Sequence, residues 1–329
     1  MQAILAVTFP FFALVALGYL AVQRRMLPES AIPGLNGFVL FFALPCMLFR
    51  FGASMPFAQL FDPVVMSIWL GSALLLVAIT ITLTLRRKPG GPGVPMKDAA
   101  FGALVASFPN SGFMGFPLLI GLLGEAVAGP VIACILIDLV ITSSLCLALA
   151  QLRPANETST QHDLLASFGR ALRGAFSNPL PWAIALGASV AALGIKLPGP
   201  VNDIVKMLGD TATPVALFTI GAVLWRAQQH ATAPTPVSAY VPVALIKLVV
   251  HPLLVLGGAF MANAAGSPLS QFTLIVLVLN AALPSASNVA ILAERYGADS
   301  GRVTRIIMAS TVLAFVTFSL IAWAFGVRK

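Results

Sequence analysis

"SFPNSGFMGFPLL", Ser107 to Leu119, places two prolines, two glycines and an asparagine inside an otherwise apolar run. The run, at about 99–123, is long enough to cross a bilayer as a helix. Proline has no backbone N–H, and its ring clashes with the carbonyl four residues earlier, so the helix is expected to break here. Because lipid cannot satisfy the freed backbone groups, the break is predicted to face protein or a water-filled cavity.

The composition places the whole chain in a membrane. Of its 329 residues, 59% are hydrophobic and 9% charged, whereas roughly a quarter are charged in soluble proteins. Solid apolar runs exclude a β-barrel, whose strands alternate. We therefore predict an all-α membrane protein with ten transmembrane helices. They lie at about 3–22, 31–51, 64–85, 99–123, 128–152, 180–197, 205–224, 237–262, 270–293 and 304–325.

An internal repeat relates the two halves of the chain. Six of eleven positions are identical between "ALPCMLFRFGA" (43–53, span 2) and "ATPVALFTIGA" (212–222, span 7). Extending the alignment sets span 4 against "ALPSASNVAI" (282–291) in span 9. Five spans per half require the second half to enter from the opposite side, as in inverted repeats of secondary transporters. We predict repeats at 1–152 and 178–329, joined by a cytoplasmic linker at 153–177.

Basic residues indicate the orientation of the spans. Thirteen of the 19 lysines and arginines fall in loops on one side, and five on the other. Because cytoplasmic loops carry the basic excess, both termini are predicted to face outward. The net charge of +8 is then a topology signal, and we expect no nucleic-acid partner.

The two broken spans predict a binding site for an anion. Helix N-termini at the breaks would bring free N–H groups and positive dipole ends to mid-membrane, which suits a carboxylate. Asparagine and serine side chains beside the prolines add donors and acceptors. The predicted substrate-binding residues are Pro45, Pro109, Asn110, Ser111, Gly112, Pro284, Ser285, Ser287 and Asn288.

Three charged residues inside or at the ends of spans are further candidates. Asp138 in span 5 and Lys247 in span 8 are costly in lipid, so each is expected to face the interior. Asp138 is a candidate proton carrier and Lys247 a fixed positive charge, or the two form a neutralising pair. Arg50, at the outer end of span 2, either attracts anions to the site or extends to the interface.

Other function classes lack their motifs. The chain contains no HExxH, GxSxG or P-loop sequence, and its three cysteines lie in apolar runs. We therefore predict no enzyme activity, no cofactor and no metal site. A receptor role would require a soluble signalling domain, which the short loops do not provide.

The motifs resemble those of the auxin efflux carrier family, which contains the plant PIN carriers and bacterial permeases. The similar stretches are "LNGFVLFFALPCMLFR", "FPNSGFMGFPLL", "NPLPWAIALGASVAALGIKLPGPV", "ATPVALFTIGA" and "LPSASNVAILAERYGA". The resemblance implies a fold like that of bile-acid/sodium symporters, with spans 4 and 9 crossing at their breaks. It also implies scaffold helices 1, 2, 6 and 7, mobile transport helices 3–5 and 8–10, an elevator mechanism and a homodimer in the plasma (inner) membrane.

The same resemblance implies a substrate among organic anions such as auxin, malate or malonate, held by Pro109 and Asn110. In span 9 this chain departs from the plant pattern, because Ser285 rather than asparagine follows Pro284. The span 9 ligand therefore stays open among Ser285, Ser287 and Asn288. The coupling ion also stays open, and the sequence favours proton-coupled or uncoupled transport over sodium-coupled transport. The alternative function is a sodium/proton or other cation/proton antiporter of the same fold.

Overall fold

The computed structural model describes residues 2–54, 62–85, 94–152, 169, 173, 178–229 and 235–327. Regular structure in this part of the chain is helical throughout, and the predicted all-α class is confirmed. The predicted linker at 153–177 lies outside the described residues except at positions 169 and 173. The helices are α1 (Gln2–Gln23), α2 (Glu29–Ser54), α3 (Pro63–Leu85), α4 (Met96–Ser107), α5 (Ser111–Leu123), α6 (Glu125–Ala150), α7 (Pro179–Ala192), α8 (Gly199–Gln229), α9 (Val237–Ala264), α10 (Gln271–Ala281), α11 (Asn288–Arg295) and α12 (Ser300–Ala324).

Seven of these helices are long and apolar enough to cross a membrane: α1, α2, α3, α6, α8, α9 and α12. Shorter apolar helices are α5, α7 and α10. The fourth predicted span consists of α4 and α5, and the ninth of α10 and α11. Many apolar side chains on the outer faces are exposed, among them Phe9, Met207 and Val312. So much exposed apolar surface is expected where lipid, rather than water, covers the protein.

The helices pack in two main groups. In the first, α1 packs along α8, and α2 packs against both α7 and α8. In the second, α3 contacts α4 and α9, while α9 contacts α10 and α12, and α4 contacts α6. Helix α6 is the most enclosed of the seven, because 78% of its most apolar 18-residue stretch is buried, compared with 28% for α1. Asp138, near the middle of α6, is accordingly 1% exposed.

Four helices contain a π-turn, and three of these turns accommodate a proline. The turns at Val39–Ala43, Ser111–Gly115 and Ile246–Val250 are each followed, after one residue, by a proline. A wider turn relieves the clash between the proline ring and the preceding carbonyls, and so the helix continues. The fourth π-turn, Asp138–Thr142 in α6, precedes no proline. It begins at the acidic residue that the sequence singled out.

Candidate functional site

The two interrupted segments lie side by side as a short antiparallel pair. Helix α4 ends at Ser107 and α5 begins at Ser111, while α10 ends at Ala281 and α11 begins at Asn288. Between them, Pro109 lies opposite Ser285. The structure therefore brings together two breaks that are distant in the sequence.

Backbone hydrogen bonds join the two segments in both directions. The N–H of Asn110 donates to the carbonyl of Pro284 over 2.8 Å, and the N–H of Ala286 donates to the carbonyl of Phe108 over 2.9 Å. The N–H of Ser285 donates to Ser310 Oγ in α12 over 3.2 Å. Groups that a helix would satisfy internally are thus paired across the breaks, as a buried backbone requires.

A cavity that opens to the outside lies beside this pair, with about 430 Å³ of empty space when the open solvent is included. Most of its lining is apolar, with polar side chains from α4–α5, α6 and α11. No lysine, arginine or histidine is among the described residues that line it. The lining residues are Leu40, Leu44, Phe108, Pro109, Asn110, Ser111, Gly112, Phe113, Ile135, Asp138, Leu139, Leu180, Ala286 and Asn288.

The first turn of α5 borders the cavity. Ser111, Gly112 and Phe113 line it, and N–H groups in the first turn of a helix have no acceptor within that helix. A Cβ added at Gly112 would meet only Leu44 Cδ2, at 3.8 Å, so a solute can approach this backbone closely. The positive end of the helix dipole makes the position favourable for an anion.

Several buried polar atoms around the cavity have no hydrogen-bond partner among the described residues. Three of them belong to lining residues: Ser111 Oγ, Asp138 Oδ2 and Asn288 Oδ1. Ser285 Oγ, in the paired segment, is a fourth. An unsatisfied buried polar group costs roughly 1–3 kcal/mol. The arrangement therefore favours a polar solute or water that supplies the missing partners.

Asp138 is held by neutral donors. Its Oδ1 accepts from Trp69 Nε1 at 3.0 Å and from Thr142 Oγ1 at 3.4 Å, and the side chain is 1% exposed. Among the described residues it makes no direct ion pair with Lys247, although the two groups interact electrostatically at longer range, so charge balance between them stays a prediction. Lys247 has other acceptors.

Lys247 binds the end of helix α10. Its Nζ donates to the carbonyl of Ala281 over 2.6 Å and lies 3.0 Å from His251 Nδ1. A cation at a helix C-terminus stabilises the unpaired carbonyls there. The ring of His251 also packs 5.1 Å from that of Trp69. Lys247 therefore stabilises the end of α10, where span 9 is interrupted, and it is not among the described residues that line the cavity.

The structure brings some, but not all, of the predicted site residues to the cavity. Those that line the cavity are Pro109, Asn110, Ser111, Gly112, Asp138 and Asn288. Pro284 and Ser285 form the other half of the antiparallel pair, and Ser287 directly precedes α11. Pro45 follows the lining residue Leu44 in α2. Arg50 forms an ion pair with Asp210 of α8 at 2.7 Å, a partner that the sequence analysis did not anticipate.

Sequence reasoning missed three polar partners of the site. These are Trp69, Thr142 and Ser310, each named above for its hydrogen bond. A fourth residue, Asn280, is fully buried in α10 and lies close to Cys134 of α6. A tryptophan or asparagine within an apolar run is a usable signal, because each carries polar atoms that need partners when buried.

The described residues contain no cluster of three or more histidine, cysteine, aspartate or glutamate side chains suited to a metal ion. The unpartnered atoms at the cavity are oxygens of neutral or single acidic side chains. The chemistry that the site offers is therefore hydrogen bonding and a helix dipole.

Comparison with known proteins identifies the family of this chain. A family model described as "Membrane transport protein" matches residues 3–322. The chain belongs to this membrane transport protein family. A putative malonate transporter of Rhizobium meliloti (strain 1021) is 28% identical over 319 residues, which cover 96% of this chain and 94% of the relative.

The alignments with two other relatives of this transporter also extend over most of both chains. Auxin efflux carrier component 8 of Arabidopsis thaliana is 23% identical over 336 residues, covering 89% of each chain. The uncharacterized transporter YfdV of Escherichia coli (strain K12) is 25% identical over 311 residues, covering 93% of this chain and 92% of YfdV. The predicted resemblance to the auxin efflux carrier family is confirmed. The family and its relatives are transporters and not enzymes.

Proposed function

We propose that this membrane transporter is a secondary transporter of small organic carboxylate anions, which bind in the cavity beside the paired breaks. The observation that carries the proposal is the antiparallel pairing of Pro109 with Ser285. It brings the first turn of α5 to the cavity together with the polar side chains of Asn110, Ser111 and Asn288.

A carboxylate suits this set of groups. The N–H groups and dipole of α5 attract negative charge, and Asn110 supplies amide donors. Two relatives bear names that refer to organic acids, a putative malonate transporter and an auxin efflux carrier. We extend that chemistry to this chain as part of the proposal.

The transport cycle in this proposal is an elevator motion within a ten-span inverted repeat. The repeats are residues 1–152 and 178–329. The scaffold contains α1, α2, α7 and α8, whose mutual packing sets them apart. The remaining helices form the moving part and carry both breaks. Movement of the breaks past α2, which contributes Leu40 and Leu44 to the cavity, would expose the solute to alternate sides.

Proton coupling through Asp138 is the second element of the proposal. The carboxyl is buried, lines the cavity and lacks an ion-pair partner, so protonation would remove a negative charge next to the anion. The same observation supports the alternative function, a cation/proton antiporter. Asp138→Asn distinguishes them. The antiporter is supported if wild type carries no carboxylate and Asp138→Asn loses sodium–proton exchange. The carboxylate transporter is supported if wild type carries carboxylate and Asp138→Asn loses the pH dependence of that flux.

Flux into proteoliposomes tests the main proposal. Radiolabelled malonate and auxin are offered to wild type, to Asn110→Ala and to Asn202→Ala, an exposed asparagine of α8 that serves as the control. We expect Asn110→Ala to reduce carboxylate flux at least tenfold, since it loses hydrogen bonds to a charged group, and Asn202→Ala to match wild type. Equal flux in all three would overturn the proposed site.

The remaining features of the proposal rest on the distribution of basic residues, for the orientation, and on the family resemblance, for the location and the dimer. We propose a location in the plasma (inner) membrane, outward-facing termini and a homodimer through the scaffold helices. Labelling of cysteines introduced near each terminus in intact cells tests the orientation. Cross-linking between two copies through cysteines on the exposed faces of α1 or α7 tests the dimer.

A further inference from the structure

Trp69 is a fully buried residue of α3 that contacts the side chains of Asp138 and His251. Its Nε1 donates to Asp138 Oδ1 over 3.0 Å. Its ring packs 5.1 Å from that of His251, which in turn lies against Lys247. Its side chain has no exposed surface. Trp69 therefore contacts an acidic side chain through its Nε1 and, through its ring, a histidine that lies against Lys247.

The two oxygens of the Asp138 carboxyl group have different environments. Oδ1 receives two donors, from Trp69 and Thr142, whereas Oδ2 has no partner in the described part of the chain. A carboxyl group that turned freely could share its donors between both oxygens. Fixing Oδ1 leaves Oδ2 available for an added donor.

We propose that Trp69 is a positioning residue of the transport site: it orients Asp138 so that Oδ2 is presented to the donor group of a transported solute or to a proton. This inference rests on the proposed function, because it assigns Asp138 a part in transport. Trp69 does not line the cavity, and it acts on the solute only through Asp138.

The position of the donor explains why an indole is suitable. A buried indole has one N–H, which normally finds a partner. Because an indole has no acceptor atom, it cannot take a hydrogen bond from Lys247. The titratable groups around Asp138 are Cys134 and Cys146 of α6 and Lys247 of α9, and His251 faces the indole ring.

A double-mutant cycle in the flux assay tests the inference. Trp69→Phe keeps an aromatic ring but removes the donor, and we expect an increase in KM of roughly tenfold from loss of one hydrogen bond to a carboxylate. Once Asp138→Asn is present, adding Trp69→Phe should have no further effect on KM. Independent, multiplying effects of the two changes would overturn the inference, because Trp69 would then act without Asp138.

A volume control separates positioning from packing. Phe318→Leu in α12 also shrinks a buried aromatic residue, which is 1% exposed and whose side chain has no polar atom. We expect it to lower thermal stability about as much as Trp69→Phe while leaving KM unchanged. An equal rise of KM in both variants would assign Trp69 a packing role only.

Fluorescence provides a readout that does not depend on transport. In a variant with Trp182, Trp225 and Trp323 changed to phenylalanine, Trp69 is the remaining tryptophan. Its emission should change as pH passes through the range in which Asp138 binds a proton. The change should disappear in Asp138→Asn and persist in His251→Gln.

The two failures are distinguishable. If wild type carries no carboxylate but the emission change follows Asp138, the proposed function is wrong and the Trp69–Asp138 coupling stands. If carboxylates are carried but the emission change is absent, or follows His251, this inference is wrong and the proposed function stands.

Discussion

The backbone N–H of Asn110 donates to the carbonyl of Pro284 over 2.8 Å, which ties the break of one predicted span to the break of another. The reciprocal bond from Ala286 to Phe108 makes the connection two-sided. Because both bonds are between backbone groups, α5 and α11 cannot separate without leaving unpaired groups in an apolar interior. The two breaks are therefore expected to move together during transport.

Ser310 is predicted to stabilise this pair from α12. Its Oγ accepts the N–H of Ser285 over 3.2 Å, so Ser310→Ala leaves a buried donor without a partner, at a cost of about 1–3 kcal/mol. Ser319→Ala in the same helix is the matched control, because its Oγ donates only to the carbonyl of Phe315. Thermal unfolding in detergent should show a lower Tm for Ser310→Ala alone. Equal Tm values would mean that the Ser285 N–H finds another acceptor.

Two glycines of α5 are predicted to respond differently to the same substitution. A Cβ at Gly115 would overlap Leu283 Cδ1 and lie 3.1 Å from Asn280 Oδ1, and both of these residues are fully buried. Gly115→Ala should therefore destabilise the fold by about 1–3 kcal/mol. Gly112→Ala meets only Leu44, at an ordinary distance, and should keep wild-type stability.

The same pair of variants separates fold from site. Gly112 lines the cavity, so the added methyl group should lower carboxylate affinity several-fold without a change in Tm. Measurement of both flux and Tm for each variant checks this. The interpretation of Gly112 as a point of close approach would be contradicted if Gly112→Ala bound carboxylate as tightly as wild type.

The sequence could predict the helices because hydropathy and proline chemistry are local properties. The positions of Pro109 and Pro284 predicted interruptions, and the structure ends helices α4 and α10 just before them. The π-turns could not be predicted, since they depend on how a helix relaxes around a proline within its packed surroundings. Pro45, for instance, lies in a continuous helix after a π-turn.

The site was predictable where side chains adjoin the breaks, as for Asn110 and Ser111. It was not predictable where partners come from other helices. Trp69 and Asp138 are 69 residues apart, and the apolar pattern of α3 does not show which side of the helix meets α6. Lys247 was expected near Asp138, but the free carbonyl of Ala281 at the end of α10 provides a nearer acceptor.

Arg302 is predicted to hold together the ends of three helices. Its Nε donates to the carbonyl of Ala239 in α9 over 2.9 Å, and its Nη1 donates to the carbonyl of Asp98 in α4 over 3.1 Å. Arg302→Met should lower the free energy of unfolding by about 2 kcal/mol, since hydrogen bonds from a charged group are lost. Arg305→Met, a partly exposed arginine of the same helix, is the control and should change it by less than about 0.5 kcal/mol. A similar loss of unfolding free energy in both variants would show that the positive charge in this helix, and not these hydrogen bonds, stabilises the fold.

Arg50 and Asp210 are predicted to have opposite effects on anion capture. Their ion pair is partly exposed, at 32% and 58% of the side chains, so its contribution to stability should be below about 1 kcal/mol. If Arg50 attracts anions, Arg50→Gln should slow carboxylate uptake at low salt, whereas Asp210→Asn should accelerate it by releasing the guanidinium group. Lys206→Gln, an exposed change one turn from Asp210 in α8, controls for loss of positive charge in general.

Salt dependence distinguishes attraction from structure in that experiment. Charges in contact with solvent are screened beyond about 8 Å at physiological ionic strength. The differences between Arg50→Gln, Asp210→Asn and wild type should therefore shrink as salt is added, with initial uptake rates as the measurement. Equal slowing by both substitutions at every salt concentration would instead mean that the ion pair joins α2 to α8 and does not steer the solute.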